Sequence, residues 1–367
     1  MDGTLAQVLA EHHDVTLLGP EPPDVDALRR RLGVDVSRCD FRRVSDDTEA
    51  SAASADFDLF VNGTYLSTAM NRAPEGWYYV HFPGTVPTTR DRVRHQVADL
   101  ATRRLAGVEG RLARLHTSFE RRRPRTEHLP SYHRYLANSQ YTARWVEQLW
   151  QVPCDVLYPP VRVSGASPVA GKQPLVLVLG RFFDPRYGHS KKQHELFDAF
   201  VRLRKHGQLP GWRLAMVGGA DAANRDYVLD LKRHVRALPA GIDVDLHVNA
   251  PGSTVQRLLG EASLLWHAGG LGEDPERHPE RFEHFGIAVV EAMAAGAVPL
   301  VFGAAGPAEV VRHDVDGLHW HTLDELMRLT TQVVGDPVRR AALADGARRR
   351  ALDFSADVFA QRVRRLA

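Results

Sequence analysis

The chain is expected to fold as an α/β protein with two Rossmann-like, doubly wound domains facing a cleft. Three observations predict this. Its 367 residues suit two domains. Short apolar runs alternate with helical patterns in two successive series. Between them Val161 to Lys172, rich in Ser, Gly, Ala and Pro, lacks periodicity and reads as a linker. The expected division is residues 1–160, a linker at 161–172, and residues 173–367.

In the first series Val15–Leu18, Asp58–Asn62, Trp77–Phe82, Tyr135–Ala137 and Cys154–Tyr158 read as strands. Asp24 caps a helix to Leu32, and Asn138-Ser139 leads into a helix over Gln140–Trp150. The second series has strands at Leu175–Leu179, Trp212–Val217, Val244–Val248, Ser263–His267 and Val298–Phe302. Helices are expected at Gln193–Lys205, Arg225–Leu238 and Thr254–Glu261. Two more, Pro337–Ala351 and Val358–Leu366, close the chain, the last expected to cross back to the first domain.

Composition narrows the class. A net charge of +2 makes no case for nucleic acid as a bulk partner. Cys39 and Cys154 form no spacing motif, and no run approaches the ~18 apolar residues that span a bilayer. A cytoplasmic setting is expected. The segment Arg90–Arg125 holds eleven arginines against four acidic residues, net +7. It reads either as a solvated face or as a patch for peripheral contact with an anionic membrane surface or a phosphate-bearing acceptor.

The most informative stretch runs from Glu283 to Phe302. Gly286 opens an apolar helix that Gly296 ends, and a strand follows. A helix N-terminus offers free N–H groups and a positive dipole end to phosphate. Glu283 and Glu291 flank it, eight steps and so about 12 Å apart if all are helical. Carboxylates accept hydrogen bonds from sugar and ribose hydroxyls. A second stretch, Gly180-Arg181, ends a strand, and Lys191-Lys192 opens the next helix. Two cations and a glycine for close approach suit a diphosphate, which Arg grips bidentately and Lys as a point charge. Lys192 is an alternative to Lys191 in that role. Gly269-Gly270 form a turn after the strand that ends at His267, and Gly218-Gly219 end another. His81 ends a first-half strand.

EHFGI followed by VVEAMAAG, with Gly180-Arg181 and Lys191, resembles the retaining glycosyltransferases of family 4, which have the GT-B fold. The branch resembled includes the GDP-mannose-dependent mannosyltransferases of lipid-linked oligosaccharide assembly and their bacterial relatives. The resemblance covers about residues 57 to 367. It implies hexose transfer from a nucleotide-diphosphate sugar, with GDP-mannose favoured, to a hydroxyl acceptor. A lipid-linked glycan, a polysaccharide and a small natural product stay open as that acceptor. It also implies catalytic roles for Glu283, Arg181, Lys191 and His81. Phe285, Gly286, Ile287, Glu291, Gly180, Gly269 and Gly270 would bind the donor. No metal site stands out, and metal-independent activity without a cofactor is expected.

One departure stands against the family pattern. Met1 falls inside or just before the helix that leads to His13-Asp14-Val15. The first strand and Gly-rich loop of the first domain are therefore expected to be missing. A catalytically idle nucleotide-binding partner subunit, or a GT-B sugar-nucleotide epimerase, is the alternative reading.

Overall fold

A computed structural model describes residues 1–84, 126–163 and 171–367. The Arg90–Arg125 patch and most of the expected linker lie outside the described residues.

Along the chain the strands are β1 Thr16–Gly19, β2 Asp40–Arg43, β3 Leu59–Asn62, β4 Glu75–Val80, β5 Arg134–Ala137 and β6 Asp155–Val156. They continue with β7 Gln173–Leu179, β8 Arg213–Gly218, β9 Val244–Val248, β10 Ala262–His267, β11 Val298–Phe302 and β12 Leu318–Trp320. The helices are α1 Asp2–Leu9, α2 Val25–Leu32, α3 Asp47–Ala53, α4 Gln140–Trp150, α5 Gln193–Lys205 and α6 Arg225–Arg236. After these come α7 Gly252–Glu261, α8 Ile287–Ala294, α9 Ala305–Val310, α10 Leu323–Gly335, α11 Pro337–Ala351 and α12 Ala356–Leu366.

The second half forms one parallel sheet in the order β12-β11-β10-β7-β8-β9. Its strands are apolar because helices cover both faces. Leu175, Val176 and Leu177 of β7 and Leu264 of β10 have no exposed surface. Chain order reverses between β7 and β10, since β8 follows on one side of β7 and β10 lies on the other. Open α/β sheets bind ligands at the strand ends beside such a reversal. Gly180 leaves β7 and Ala268 leaves β10 at that point.

The first half is divided. A parallel sheet, β3-β4-β5-β6, stands apart from the parallel pair β1-β2. Among the described residues no strand joins β1 to β3. A cavity of about 1080 Å³ lies between them, lined by Leu17 and Leu18 on one side and by Phe60 and Val61 on the other.

Several elements depart from the sequence expectation. β6 pairs over only two residues, because β5, its one partner among the described residues, ends at Ala137 and meets it only at Leu136 and Ala137. β4 ends at Val80, so His81 and Phe82 lie just past it. The strand β2 (DFRR), the helices α3, α9 and α10, and the short strand β12 were not anticipated.

α12 packs its apolar face on the first half. Phe359 and Val363 lie in one core with Leu5, Leu9, Trp77, Tyr79 and Leu136. Ser355 caps α12 by accepting from the Val358 N–H, and Phe354 accepts from the Val161 N–H at 2.9 Å just before the helix begins. Phe359 is 3% exposed. Phe359→Ala is expected to lower stability by about 3 kcal/mol. Urea unfolding measures it, and a loss under 1 kcal/mol would show that α12 is peripheral to this core.

Candidate active site

The site grows from the ends of β7 and β10. After β7 the chain turns at Gly180, whose missing side chain leaves room for the stem of Lys191. A Cβ there would lie 2.9 Å from Lys191 Cγ. Across the sheet a Cβ on Gly218 would strike the Gly180 carbonyl at 1.9 Å, so these two strand ends meet backbone to backbone. Lys191 then reaches Glu283 and forms an ion pair with its carboxylate. The motif at 180–192 and the motif at 283–291 are joined by this contact.

His267, the last residue of β10, completes the cluster. Its Nε2 lies 3.2 Å from Glu283 Oε2. Burial lowers the His267 pKa, so the ring is neutral and its Nε2–H donates to Glu283. Nδ1 is then a buried acceptor with no partner. His189 Nε2 lies 3.4 Å from Lys191 Nζ, and burial followed by the Lys191 charge lowers its pKa as well. His284, beside Glu283, is pushed down to about 3, first by burial and then by His189. Three neutral imidazoles thus surround one ion pair. None of the three was singled out from the sequence. Their available signal was position: His267 ends a strand, His189 precedes Lys191 and His284 follows Glu283.

Lys191 and Lys192 have different partners. Lys192 sits in the left-handed region at the N-cap of α5, and its ammonium is 2.7 Å from Glu273 Oε1. Arg281 takes the other oxygen of Glu273 at 3.1 Å. Lys192 is therefore committed to the loop after β10, and Lys191 is the lysine at the cluster. Gly270 in that loop has φ +96°, and a Cβ there would lie 2.4 Å from the Phe282 ring. Gly269 lies as close to the cluster, where a Cβ would be 3.0 Å from His267.

Gly286 is the N-cap of α8 in the left-handed region, φ 100°. The helix begins only at Ile287, which corrects the expectation of continuous helical rise from Glu283 to Glu291. Only the last four steps are helical, so the spacing of about 12 Å does not follow. Ile287 is half exposed, whereas the Phe285 side chain is buried against Tyr158 and Phe354. Phe285 thus has only its backbone to offer a ligand. Glu291 lies one turn into α8, where burial raises its pKa. Arg181 is largely exposed and pairs with Asp221 at 3.3 Å. An exposed pair of this kind is worth little and leaves the guanidinium free to exchange partners.

The first half closes the cleft. Phe82 stacks on His284 with centroids 4.1 Å apart and planes 8° from parallel. The Tyr141 hydroxyl donates to the Pro279 carbonyl at 3.0 Å. Glu309 of α9 accepts from the Gln140 N–H at the start of α4. His81 is fixed one residue before Phe82, its Nε2–H donating to the Gly63 carbonyl at 2.9 Å. Asn138 donates to the His81 carbonyl, also at 2.9 Å. His81 is brought to the cleft edge by this packing, without direct contact to Glu283. Ser139 is a helix cap, accepting from the Thr142 N–H.

Two α/β units with parallel sheets, facing one another over a polar cluster at the strand ends, define the GT-B class of glycosyltransferase. The glycosyl transferases group 1 family matches residues 164–350. The chain belongs to that family. It is similar to the GDP-Man:Man(3)GlcNAc(2)-PP-Dol alpha-1,2-mannosyltransferase of Dictyostelium discoideum, 30% identical over 203 residues, 52% of this chain and 38% of that protein. The Homo sapiens protein of the same name is 30% identical over 198 residues, 49% of this chain and 36% of its own length. The matched region therefore spans well under half of these relatives. Among solved structures the chain resembles a glycosyltransferase from Rickettsia africae (TM-score 0.69, 13% identity, 100% of this chain and 93% of that one). It also resembles HepE of Anabaena in complex with UDP (TM-score 0.67, 17% identity, 99% and 94%). These two likenesses establish the shared fold. No helix among the described residues is long and apolar enough to cross a membrane.

Burial alone would raise the Glu283 carboxyl, but Lys191 and then His267 hold it well below its ordinary value of 4.5. A carboxyl depressed on folding adds stability above its unfolded pKa, and that increment is lost as pH falls through the folded pKa. Glu283→Gln is expected to be about 3 kcal/mol less stable than the wild type at pH 7. The gap should narrow below pH 4.5. Urea unfolding at neutral and at acid pH checks this, and an equal gap at both would mean that Glu283 is not ionised in the pair.

Proposed function

We propose that the chain is a retaining hexosyltransferase acting on a nucleotide-diphosphate sugar. The observation that carries this reading is the Lys191–Glu283 contact, which joins a phosphate-suited cation to a sugar-suited carboxylate at the sheet's reversal point. GDP-mannose is the favoured donor because the mannosyltransferases similar to this chain are named for it.

In this reading the backbone N–H groups at the start of α8 hold sugar and phosphate. Glu283 accepts from sugar hydroxyls and steadies positive charge at the anomeric carbon. Glu291 accepts from the ribose. As the bond from the anomeric carbon to the diphosphate oxygen breaks, a bond to the acceptor oxygen forms on the same face. The acceptor's hydroxyl proton passes to the departing diphosphate oxygen, so no separate base is needed. Arg181 and Lys191 stabilise the charge that develops there. Together with the α8 dipole they supply the positive charge a divalent ion would otherwise bring, so we read the reaction as metal-independent. His81 faces the sugar from the opposite side of the cleft. The acceptor is a hydroxyl compound, with a lipid-linked glycan favoured by the same relatives.

Calorimetry with GDP, UDP and dTDP tests this reading. One nucleotide should bind the wild type, and Glu291→Ala should bind it about tenfold more weakly, the loss of roughly one good hydrogen bond. No binding of any of the three would contradict a donor site. Unchanged binding in the variant would contradict the ribose role of Glu291.

A further inference from the structure

Away from the cleft, α5 and α6 carry a group that the proposed reaction does not use. His194 lies in the first turn of α5, and Asp230 and His234 lie one turn apart on α6. One ligand atom from each falls within 4.8 Å of the others. His194 Nε2 is 3.4 Å from Asp230 Oδ2, and His234 Nδ1 is 3.5 Å from the same oxygen.

Those separations have a meaning. Zinc binds His nitrogen and carboxylate oxygen at about 2.0–2.2 Å, and tetrahedral geometry then sets neighbouring ligand atoms about 3.4 Å apart. Two edges of such a tetrahedron already exist. Two imidazoles and one carboxylate are the donor set that borderline divalent ions prefer.

We propose that His194, Asp230 and His234 form a binding site for a divalent transition metal of the zinc type, with its fourth position open to solvent. The site clamps the first turn of α5 to the middle of α6 and takes no part in sugar transfer.

The surroundings favour it. Arg233 donates to Asp230 Oδ1 at 2.6 Å, which orients the carboxylate and leaves Oδ2 towards the two rings. The His194 ring packs edge-on against Tyr227 at 5.0 Å and against His234 at 5.4 Å, so it has one packed orientation. Burial lowers the His194 pKa, which keeps the ring in its neutral, ligating form. One contact is given up. His234 Nδ1 lies 3.0 Å from the Asp230 carbonyl, so metal binding moves the His234 proton to Nε2. That ring is half exposed, and water can receive the Nε2–H.

The site also lies next to the donor machinery without belonging to it. Gln193, beside His194, donates to the Arg181 carbonyl at 2.9 Å and accepts from the Tyr227 hydroxyl at 3.0 Å. A metal here would brace the helix that carries this clasp.

The test is titration of the full chain with Zn²⁺ alone, by competition against a chromophoric chelator, beside His194→Gln, His234→Gln and the control His206→Gln at the far end of α5. The expected result is one equivalent of Zn²⁺ bound by wild type and control, with affinity at least tenfold lower in each of the other two. Near-ultraviolet circular dichroism confirms that those variants are folded, and a Zn²⁺-induced rise in Tm should be seen only in wild type and control. No saturable binding by the wild type, or equal binding in all four proteins, would overturn the proposal.

Discussion

The contact on which the site depends is the ion pair between Lys191 and Glu283. Removing one partner of such a pair would leave a poorly solvated charge, so the pair holds its two segments together. Several nearby close approaches serve it. Gly180 makes room for the lysine stem, Gly269 lets the loop after β10 pass the cluster, and His267 donates to the carboxylate. Gly306 continues the pattern: a Cβ there would meet the His284 carbonyl at 2.3 Å, and its N–H donates to the Glu283 carbonyl at 3.0 Å. The glycines are structural in origin. By letting backbones touch they place charged side chains at the end of the sheet.

The same constraint couples the two halves. His284, held by the backbone that positions Glu283, is also the surface on which Phe82 stacks. α12 returns to bury Phe359 and Val363 among side chains of α1, β4 and β5. The first-half sheet, split between β1 and β3, is thus supported by the chain's last helix as well as by its own strands.

Much of this was legible in the sequence. α4, α5, α11, β9 and β11 have the expected bounds, because a cap, glycine or proline beside each marks where it starts or stops. α10 was missed although its signal was present: Thr322 accepts from the Glu325 N–H, and Glu325 accepts from the His321 N–H. β2 is mostly polar and exposed, so alternation carried no information there. In the site, the residue types and their neighbourhoods could be read, but the pairing could not. Which of two adjacent lysines meets Glu283 depends on the left-handed turn at Lys192, a tertiary outcome. The neutral state of His189, His267 and His284 depends on burial by residues distant in sequence.

The central claim is that the Lys191–Glu283 cluster and the start of α8 are the donor site. Hydrogen–deuterium exchange with and without GDP-mannose tests it most directly. The account predicts slowed exchange in the segments at 180–192 and 283–291. No change in either segment at saturating nucleotide sugar, or protection elsewhere only, would contradict it.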